Sequence, residues 1–315
     1  MGGYVLKKLA QLVPTVLGVV TLVFLMLRLL PGDPAAFMAG DNIGAEALEA
    51  VRQRLGLDVP LWQQYVSFLG NVLRFDLGVS MVTTLPVGQL IGQALPVTIL
   101  IGGVSLLLGF LIAVPLGTLA AYMVYKGRGA LDQGLTWLAM AVDVMPSFWL
   151  ALLFMVLFTL ALGWLPATGV LDFNDPLALM RRIALPVLVL ALAPVATVAR
   201  ITRTAVLDTL GDDYARTARA MGTPDLLVVF RHALPNAALP IVTVAGLAFG
   251  RLLGGTVIIE IIFALPGMGT LLINGINGRD YPVVQGVILV YASLFILVNM
   301  LTDLVYMKMD PRVKF

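Results

Sequence analysis

The chain has 315 residues, of which 60% are hydrophobic and 12% are charged, and its mean hydropathy is +0.98. Soluble domains carry roughly a quarter of charged residues, so this composition predicts a membrane protein, and the net charge of +2 argues against nucleic-acid binding. The absence of cysteine excludes disulfides, thiol catalysis and thiolate metal sites, and a single histidine, His232, excludes a multi-histidine metal site within this chain.

The N-terminal segment predicts a membrane helix that is retained. Lys7 and Lys8 precede an apolar run over residues 9–30. A secretory signal would also begin with positive charge, but this run is longer than a usual signal core and no A-x-A cleavage site follows it. An uncleaved first membrane helix is therefore the favoured interpretation.

Six apolar windows are long enough to cross a bilayer, which takes about 20 residues per helix. They cover residues 9–30, 95–122, 135–162, 183–203, 238–262 and 283–307. The second is the clearest, because no charged residue occurs between Asp76 and Lys126. The fourth is the weakest, because it contains Pro186 and Pro194, although membrane helices tolerate proline where neighbours satisfy the freed backbone groups.

The distribution of lysine and arginine predicts the orientation, since cytoplasmic loops are richer in both. One side holds Lys7, Lys8, Lys126, Arg128, Arg200, Arg203, Arg216, Arg219, Arg231, Lys308, Arg312 and Lys314. The other side holds Arg28, Arg52, Arg54, Arg74, Arg181, Arg182 and Arg279. Both termini and residues 204–236 are therefore predicted to be cytoplasmic.

Residues 31–94 on the outer side are too long for a simple connection. Helical spacing of apolar residues predicts one helix over Ala45–Leu55 and a second that opens at Pro60, followed by a loop at residues 76–80. Such a helical cap could simply cover apolar helix ends, or it could help to receive a soluble partner. The amphipathic pattern is compatible with both.

Residues 213–235 form a polar stretch between strongly apolar runs. Asp212 and Asp213 favour a helix start at this point, and a first helix is predicted over residues 213–221. Gly222 is suited to the left-handed conformation that ends a helix. The following Thr223-Pro224-Asp225 predicts a restart, with the threonine as N-cap and the proline at the first helical position.

The second helix of this stretch is predicted to have one apolar face. That face consists of Leu226, Val229, Phe230 and Ala233. An amphipathic helix resting on lipid headgroups through its arginines would be the simpler interpretation. Two short helices joined by one glycine nevertheless form a compact protrusion, and this shape favours the docking of a soluble partner.

Four charged residues lie in or near the predicted spans: Asp143, Arg251, Glu260 and Asp303. Charge within a membrane is costly, so a role in the transport pathway or its gate is the default hypothesis for Asp143, Arg251 and Glu260. Structural alternatives stay open. Glu260 and Asp303 could lie near interfaces, and Arg251 could pair with Glu260 or with a carboxylate on another subunit.

Small residues and prolines predict how the spans pack. Gly246, Gly250 and Gly254 recur at every fourth residue of the fifth span, a spacing that lets helices approach closely. Their predicted role is tight packing, within the chain or against a partner. Pro115 and Pro146 are placed to kink the second and third spans.

The 213–235 stretch resembles a motif of importer permeases of the ATP-binding-cassette class, E-A-A-x3-G-x9-I-x-L-P. The corresponding residues here are Arg216, Thr217, Ala218, Gly222, His232, Leu234 and Pro235. The spacing, Ala218, Gly222, Leu234 and Pro235 match, whereas the Glu, the first Ala and the Ile are replaced. The variant is similar to the dipeptide, oligopeptide and nickel branch of that family.

Further motifs extend this resemblance over nearly the whole chain. They are LPGDP (30–34), LGLDVPLWQQY (55–65), DLGVS (76–80), MPSFW (145–149), IIEIIFALPGMG (258–269), RDYPVVQG (279–286) and DPRVKF (310–315). The resemblance implies an all-α membrane protein with the six-helix fold of type I importer permeases and a helical extracytoplasmic insertion. Its parts would be an N-terminal membrane helix (1–30), the extracytoplasmic segment (31–94), a five-helix transmembrane domain (95–307) that contains a coupling segment (208–236), and a cytoplasmic tail (308–315).

The resemblance also implies how the protein is powered. The residues that it assigns to coupling with an ATPase are Asp213, Tyr214, Arg216, Thr217, Ala218, Arg219, Gly222, Leu234 and Pro235. The implied partners are two ATP-binding subunits, a second related permease, an extracytoplasmic solute-binding protein and the lipid of the bacterial inner membrane. No cofactor is expected in this chain, and ATP and Mg²⁺ are expected on the ATPases, since no Walker-type glycine loop surrounds Lys126.

The expected function is therefore import of di- or oligopeptides by a subunit that is not itself an enzyme. The same machinery could instead carry a nickel chelate, glutathione or another small solute. An ion-coupled carrier working alone is a rival of a different class, but it predicts internal repeats that we do not find. An intramembrane enzyme is a third, and it would lack cysteine and paired membrane carboxylates.

Overall fold

The computed structural model of the protein describes residues 13–25, 49, 52–53, 58–127 and 129–309. Within them the helices are α1 (Val13–Leu25), α2 (Leu61–Leu73), α3 (Val87–Tyr125), α4 (Gly129–Val144), α5 (Ser147–Phe154), α6 (Pro176–Leu210), α7 (Asp213–Ala220), α8 (Asp225–Leu227), α9 (Leu234–Asn236), α10 (Ala238–Ile262), α11 (Met268–Asn277) and α12 (Tyr281–Met309). The only β pairing in this part of the chain is an isolated bridge between Val79 and Pro86. The all-α prediction is confirmed.

Among the described residues, four helices, α3, α6, α10 and α12, are long and apolar enough to cross a membrane. Two shorter apolar helical stretches, Val13–Leu25 and Ser147–Ala161, lie within the first and third predicted windows. The first window extends beyond the described residues on both sides, and most of the helix predicted over Ala45–Leu55 also lies outside them.

The third window, predicted as one span over residues 135–162, is instead two helices. α4 ends at Val144 and α5 begins at Ser147, with Pro146 between them in an extended conformation at ψ 136°. Proline disfavours helical conformation in the residue before it and has no N–H to donate, which is why the helix ends here. After Phe154, α5 continues as a π-helical turn over Met155–Ala161.

The fourth window proved to be part of a long helix, not a weak span. α6 runs over 35 residues and contains both Pro186 and Pro194. Its start is well capped, because the carboxylate of Asp175 accepts from the N–H groups of Leu177 and Ala178 and Pro176 occupies the first turn. A strong N-terminus and dense packing offset the hydrogen bonds that the two prolines cannot make.

The chain separates into two compact units, which are described one at a time. Unit 1 comprises residues 1–98, 266–296 and 315, and unit 2 comprises residues 99–265 and 297–314. In unit 1 the predicted cap helix α2 packs against α1. The Tyr65 ring meets Phe24 edge-on at 5.2 Å, and its hydroxyl lies 2.7 Å from that of Thr21.

A buried carboxylate organises the rest of unit 1. Asp280 is 3% exposed and accepts a hydrogen bond from the Ser80 hydroxyl at 2.5 Å and from the Met81 N–H at 3.1 Å. We call this arrangement the Asp280 clamp. It joins two motifs of the sequence, DLGVS and RDYPVVQG, that are far apart along the chain.

Unit 2 is built around α6. Glycines of α3 allow the two helix backbones to touch, because a Cβ on Gly117 would lie 2.3 Å from the Ala199 carbonyl oxygen. A Cβ on Gly109 would likewise lie 2.8 Å from the Pro194 ring. This is the close helix approach that small residues permit in membranes.

A buried arginine closes one end of unit 2. Arg182 is 3% exposed and donates to the carbonyls of Ala167 at 2.8 Å and Gly169 at 3.0 Å, and to that of Phe263. The count of loop charges had placed Arg182 in an external loop. Arg182 instead lies inside α6, so the loop position was wrong, and it satisfies carbonyls that the ends of neighbouring segments leave free.

Candidate functional site

Residues 208–236 form an exposed segment on unit 2, with α7 as its first helix. α7 begins at Asp213 after Asp212, whose backbone is extended, so both acids lie at the positive end of the helix as predicted. Ala215 and Ala218 are buried on its inner face. Its outer face exposes Asp213, Tyr214, Arg216 and Thr217.

Gly222 ends this helix in the left-handed conformation, at φ +81°, as predicted. The N–H of Thr223 donates to the Ala218 carbonyl at 3.1 Å, and the N–H of Gly222 donates to the Arg219 carbonyl at 2.9 Å. This pair of bonds is the Schellman motif, which usually needs glycine at this position. Nothing lies within 4 Å of a Cβ built on Gly222, so the requirement comes from the backbone and not from packing.

The restart after Gly222 differs from the prediction in two ways. The N-cap of α8 is Pro224 and not Thr223, and no side chain caps the helix. α8 then passes into a π-helical turn, Val228–Ala233, before α9.

That turn changes which residues are buried. Val228, Val229 and Ala233 are fully buried, whereas Leu226 and Phe230 of the predicted apolar face are 49% and 41% exposed. In a π-helix positions five apart align, which brings Val228 and Ala233 to the same side.

An ionic latch, consisting of Lys126, Arg219 and Asp225, holds this segment against the end of α3. The Lys126 ammonium pairs with one oxygen of Asp225, and the Arg219 Nε lies 4.0 Å from the other. The Arg219 guanidinium also lies 4.7 Å from the centre of the Tyr125 ring and donates to the Leu210 carbonyl at 2.7 Å. The hydrogen bond that the Lys126 ammonium donates to the Asp225 carboxylate raises the pKa of Lys126, which favours its charged form.

The remaining predicted coupling residues take different positions. Tyr214 is 37% exposed, and the partial burial of its phenol raises its pKa. The Thr217 hydroxyl donates to the Asp213 carbonyl at 2.9 Å. Leu234 packs against the buried core of unit 2, and Pro235 is exposed on α9.

A cavity of about 350 Å³ opens elsewhere in unit 2. Its lining residues are Asp143, Ser147, Val189, Leu190, Ala193, Pro194, Thr197, Ile201, Val244, Leu247, Ala248, Arg251, Leu252 and Gly255. The lining is mostly apolar with a few polar groups, which is typical of small-molecule sites. The structure thus brings two of the predicted pathway residues, Asp143 and Arg251, to one cavity.

The Asp143 carboxylate in this cavity already has partners within the chain. The Asp143 carboxylate lies 3.7 Å from the Arg200 guanidinium and accepts from the Thr197 hydroxyl at 3.4 Å. Both partners are on α6, whereas Asp143 is near the end of α4. Glu260, the third predicted pathway residue, is fully buried and does not line the cavity.

Comparison with known families identifies the chain. A sequence model described as "Binding-protein-dependent transport system inner membrane component" matches residues 113–315, and a model of the N-terminal part of the same component matches residues 1–102. The chain belongs to this permease family. It is therefore a membrane protein and a transport subunit of an importer of the ATP-binding-cassette class.

Individual permeases are similar over the full length. A protein of Brucella abortus strain 2308 that carries the name of a peptide transport system permease is 43% identical over 317 residues, with 100% of both chains covered. The glutathione transport system permease protein GsiC of Salmonella typhimurium is 40% identical over 315 residues, again with full coverage of both.

A solved structure supports the permease fold. The MetNI methionine ABC transporter in an inward-facing conformation matches with a TM-score of 0.58 at 19% identity, covering 70% of this chain and 97% of that one. At this identity the likeness concerns the fold alone. It agrees with the type I permease architecture expected from the sequence.

The sequence analysis did not predict the ion pair between Lys126 and Asp225. Lys126 and Asp225 are 99 positions apart, and no spacing rule relates them.

Of the glycines at every fourth residue of α10, Gly246 lies against Thr302, where a Cβ would come within 2.7 Å, whereas Gly254 has open space around it and Gly250 is half-buried.

Proposed function

We propose that this permease subunit imports di- or oligopeptides that a solute-binding protein delivers. Two separate ATP-binding subunits, which hold ATP and Mg²⁺, drive the cycle, and a second permease, either a paralogue or another copy of this chain, completes the pathway. Both termini and the 208–236 segment face the cytoplasm. The observation that carries the proposal is the exposed 208–236 segment, ended by a left-handed glycine, in a chain 43% identical to a relative named for peptide transport.

The geometry supports a mechanical role for this segment. Its outer face presents polar residues of α7 together with the exposed apolar side chains of Met221, Leu226 and Phe230, a mixture suited to docking on a protein. Its inner face is packed into the buried core of unit 2. A rigid element anchored in this way can transmit the motion of an ATPase to the spanning helices.

The proposal is tested by reconstituting the complete transporter in liposomes. Import of a labelled tripeptide should require ATP, the ATPase subunits and the loaded binding protein, and the ATPases should co-purify with this chain. An ion-driven uptake that needs no ATPase would contradict the proposal.

Import of glutathione is the second candidate function, because GsiC is 40% identical over the whole chain. The same liposomes distinguish it from peptide import. Uptake of glutathione in preference to di- and tripeptides would favour this candidate, and binding of a nickel chelate alone by the cognate binding protein would exclude both.

Breaking the ionic latch is expected to weaken coupling without unfolding the protein. Asp225→Asn removes the charge shared by Lys126 and Arg219, and exposed ion pairs of this kind contribute little to the stability of a fold. Stimulation of ATPase activity by the loaded binding protein should therefore fall, with little change in melting temperature.

A charge swap and a surface control make this latch prediction specific. The double variant Lys126→Glu with Asp225→Lys should recover part of the stimulation, because it restores one of the two pairs. Asp58→Asn, at an exposed position of unit 1, should leave stimulation unchanged. Full stimulation in Asp225→Asn would show that the latch has no part in coupling.

A further inference from the structure

Arg251 is a charged residue in the middle of a membrane-spanning helix. It lies near the centre of α10, which runs over the 25 residues Ala238–Ile262. Arginine cannot lose its proton in a protein, and a charge at this depth is costly unless something compensates it. Such a residue therefore needs either a partner or a function.

Within the part of the chain that the structure describes, Arg251 has no partner. It makes neither an ion pair nor a hydrogen bond with a described residue, and it is exposed on the wall of the 350 Å³ cavity. The acidic group of that cavity, Asp143, lies beside Arg200, so their charges offset each other. Arg251 therefore leaves the cavity with a net positive charge.

The chemistry of this position selects a carboxylate. A guanidinium presents parallel N–H donors that match the two oxygens of a carboxylate, and such charge-assisted pairs are strong where water is limited. The surrounding wall is apolar. Leu247 and Ala248 lie about one turn before Arg251 on the same helix, and Val244 lies one turn before them. A small ligand with one anionic end and an apolar body fits these surroundings.

We propose that Arg251 is the subsite that binds the free carboxylate of the substrate during translocation. The inference rests on the proposed peptide import, and it adds a recognition step in the permease itself. Both a peptide and glutathione carry the required carboxylate, whereas the C-terminal amide of a peptide does not.

The test compares a tripeptide with its C-terminal amide. Trialanine and trialanine amide, each shown to be loaded on the solute-binding protein, are supplied to liposomes that contain the complete transporter. The wild type should import the acid faster than the amide. Arg251→Gln should slow import of the acid by about tenfold and change import of the amide by less than about twofold, because it removes one charge-assisted contact.

A second variant tests the inference independently, in case Arg251→Gln does not fold. Ala248→Glu places a carboxylate three residues before Arg251 on the same helix, where the two can pair. It leaves the arginine in place and should also abolish the preference for the acid. Arg74→Gln, an exposed arginine of unit 1, is the matched control and should keep the preference.

Three outcomes would overturn the inference. Equal losses for acid and amide in Arg251→Gln would show that the arginine is structural or pairs with a carboxylate of the second permease. An unchanged preference in Ala248→Glu would exclude a carboxylate site. Import of acid and amide at equal rates by the wild type would refute the subsite while leaving peptide import intact, whereas a wild type that imports neither would refute the proposed function itself.

Discussion

Replacing Arg182 by methionine is expected to destabilise the permease by about 3 kcal/mol or more. The side chain is buried and is the donor to the carbonyls of Ala167, Gly169 and Phe263. The Phe263 carbonyl is a buried acceptor, and leaving such a group without a partner costs about 1–3 kcal/mol, while the partly buried hydrogen bonds to Ala167 and Gly169 are lost as well, since methionine supplies no donor. The purified protein should show a large drop in melting temperature and poor accumulation in the membrane.

The neighbouring arginine provides the control for Arg182. Arg181 precedes it on α6 and is exposed, so Arg181→Met removes the same charge without leaving a buried carbonyl unsatisfied. We expect its melting temperature to stay close to that of the wild type. Equal stability of the two variants would mean that the hydrogen bonds of Arg182 do not hold this end of unit 2.

Replacing Gly222 by valine is expected to cause the largest loss of coupling. The residue has φ +81°, a conformation that costs a β-branched residue about 1–3 kcal/mol, and valine would escape that cost by changing the turn between α7 and α8. ATP-driven import and stimulated ATPase activity should both fall by about tenfold, since about 1.4 kcal/mol corresponds to that factor. The protein should still reach the membrane, because no atom lies within 4 Å of the added Cβ.

Two further variants separate conformation from size. Gly222→Asn should retain much of the activity, because asparagine tolerates the left-handed conformation better than other residues with a side chain. Gly254→Ala, in α10, adds a methyl group in open space at a helical position and should be silent. Import and ATPase stimulation that both survive Gly222→Val would refute a role for this turn in coupling.

The sequence was most informative where backbone chemistry decides the conformation. Gly222 was expected to be left-handed because few other residues can end a helix in that way, and its φ confirms this. The helix after Pro60 was likewise expected and is observed as α2. Long apolar runs sufficed to predict an all-α membrane protein, because a bilayer admits few other structures.

The sequence failed where packing between distant segments decides the outcome. Leu226 and Phe230 fit the helical spacing of a buried face, but the π-helical turn exposes both of them. Arg182 looked like a loop residue because its carbonyl partners lie in other segments of the chain. Both charged residues that line the cavity, Asp143 and Arg251, were predicted, but Thr197 and Arg200 were not associated with Asp143, since their proximity depends on how α4 and α6 pack.

The Asp280 clamp can form only late in the synthesis of the protein. Ser80 and Asp280 are 200 residues apart, and ribosomes add about 5–20 residues per second, so roughly ten to forty seconds separate the appearance of the two halves. Most of unit 2 is translated within that interval. The loop that carries Ser80 therefore lacks the Asp280 carboxylate as a hydrogen-bond partner until nearly the whole chain has left the ribosome.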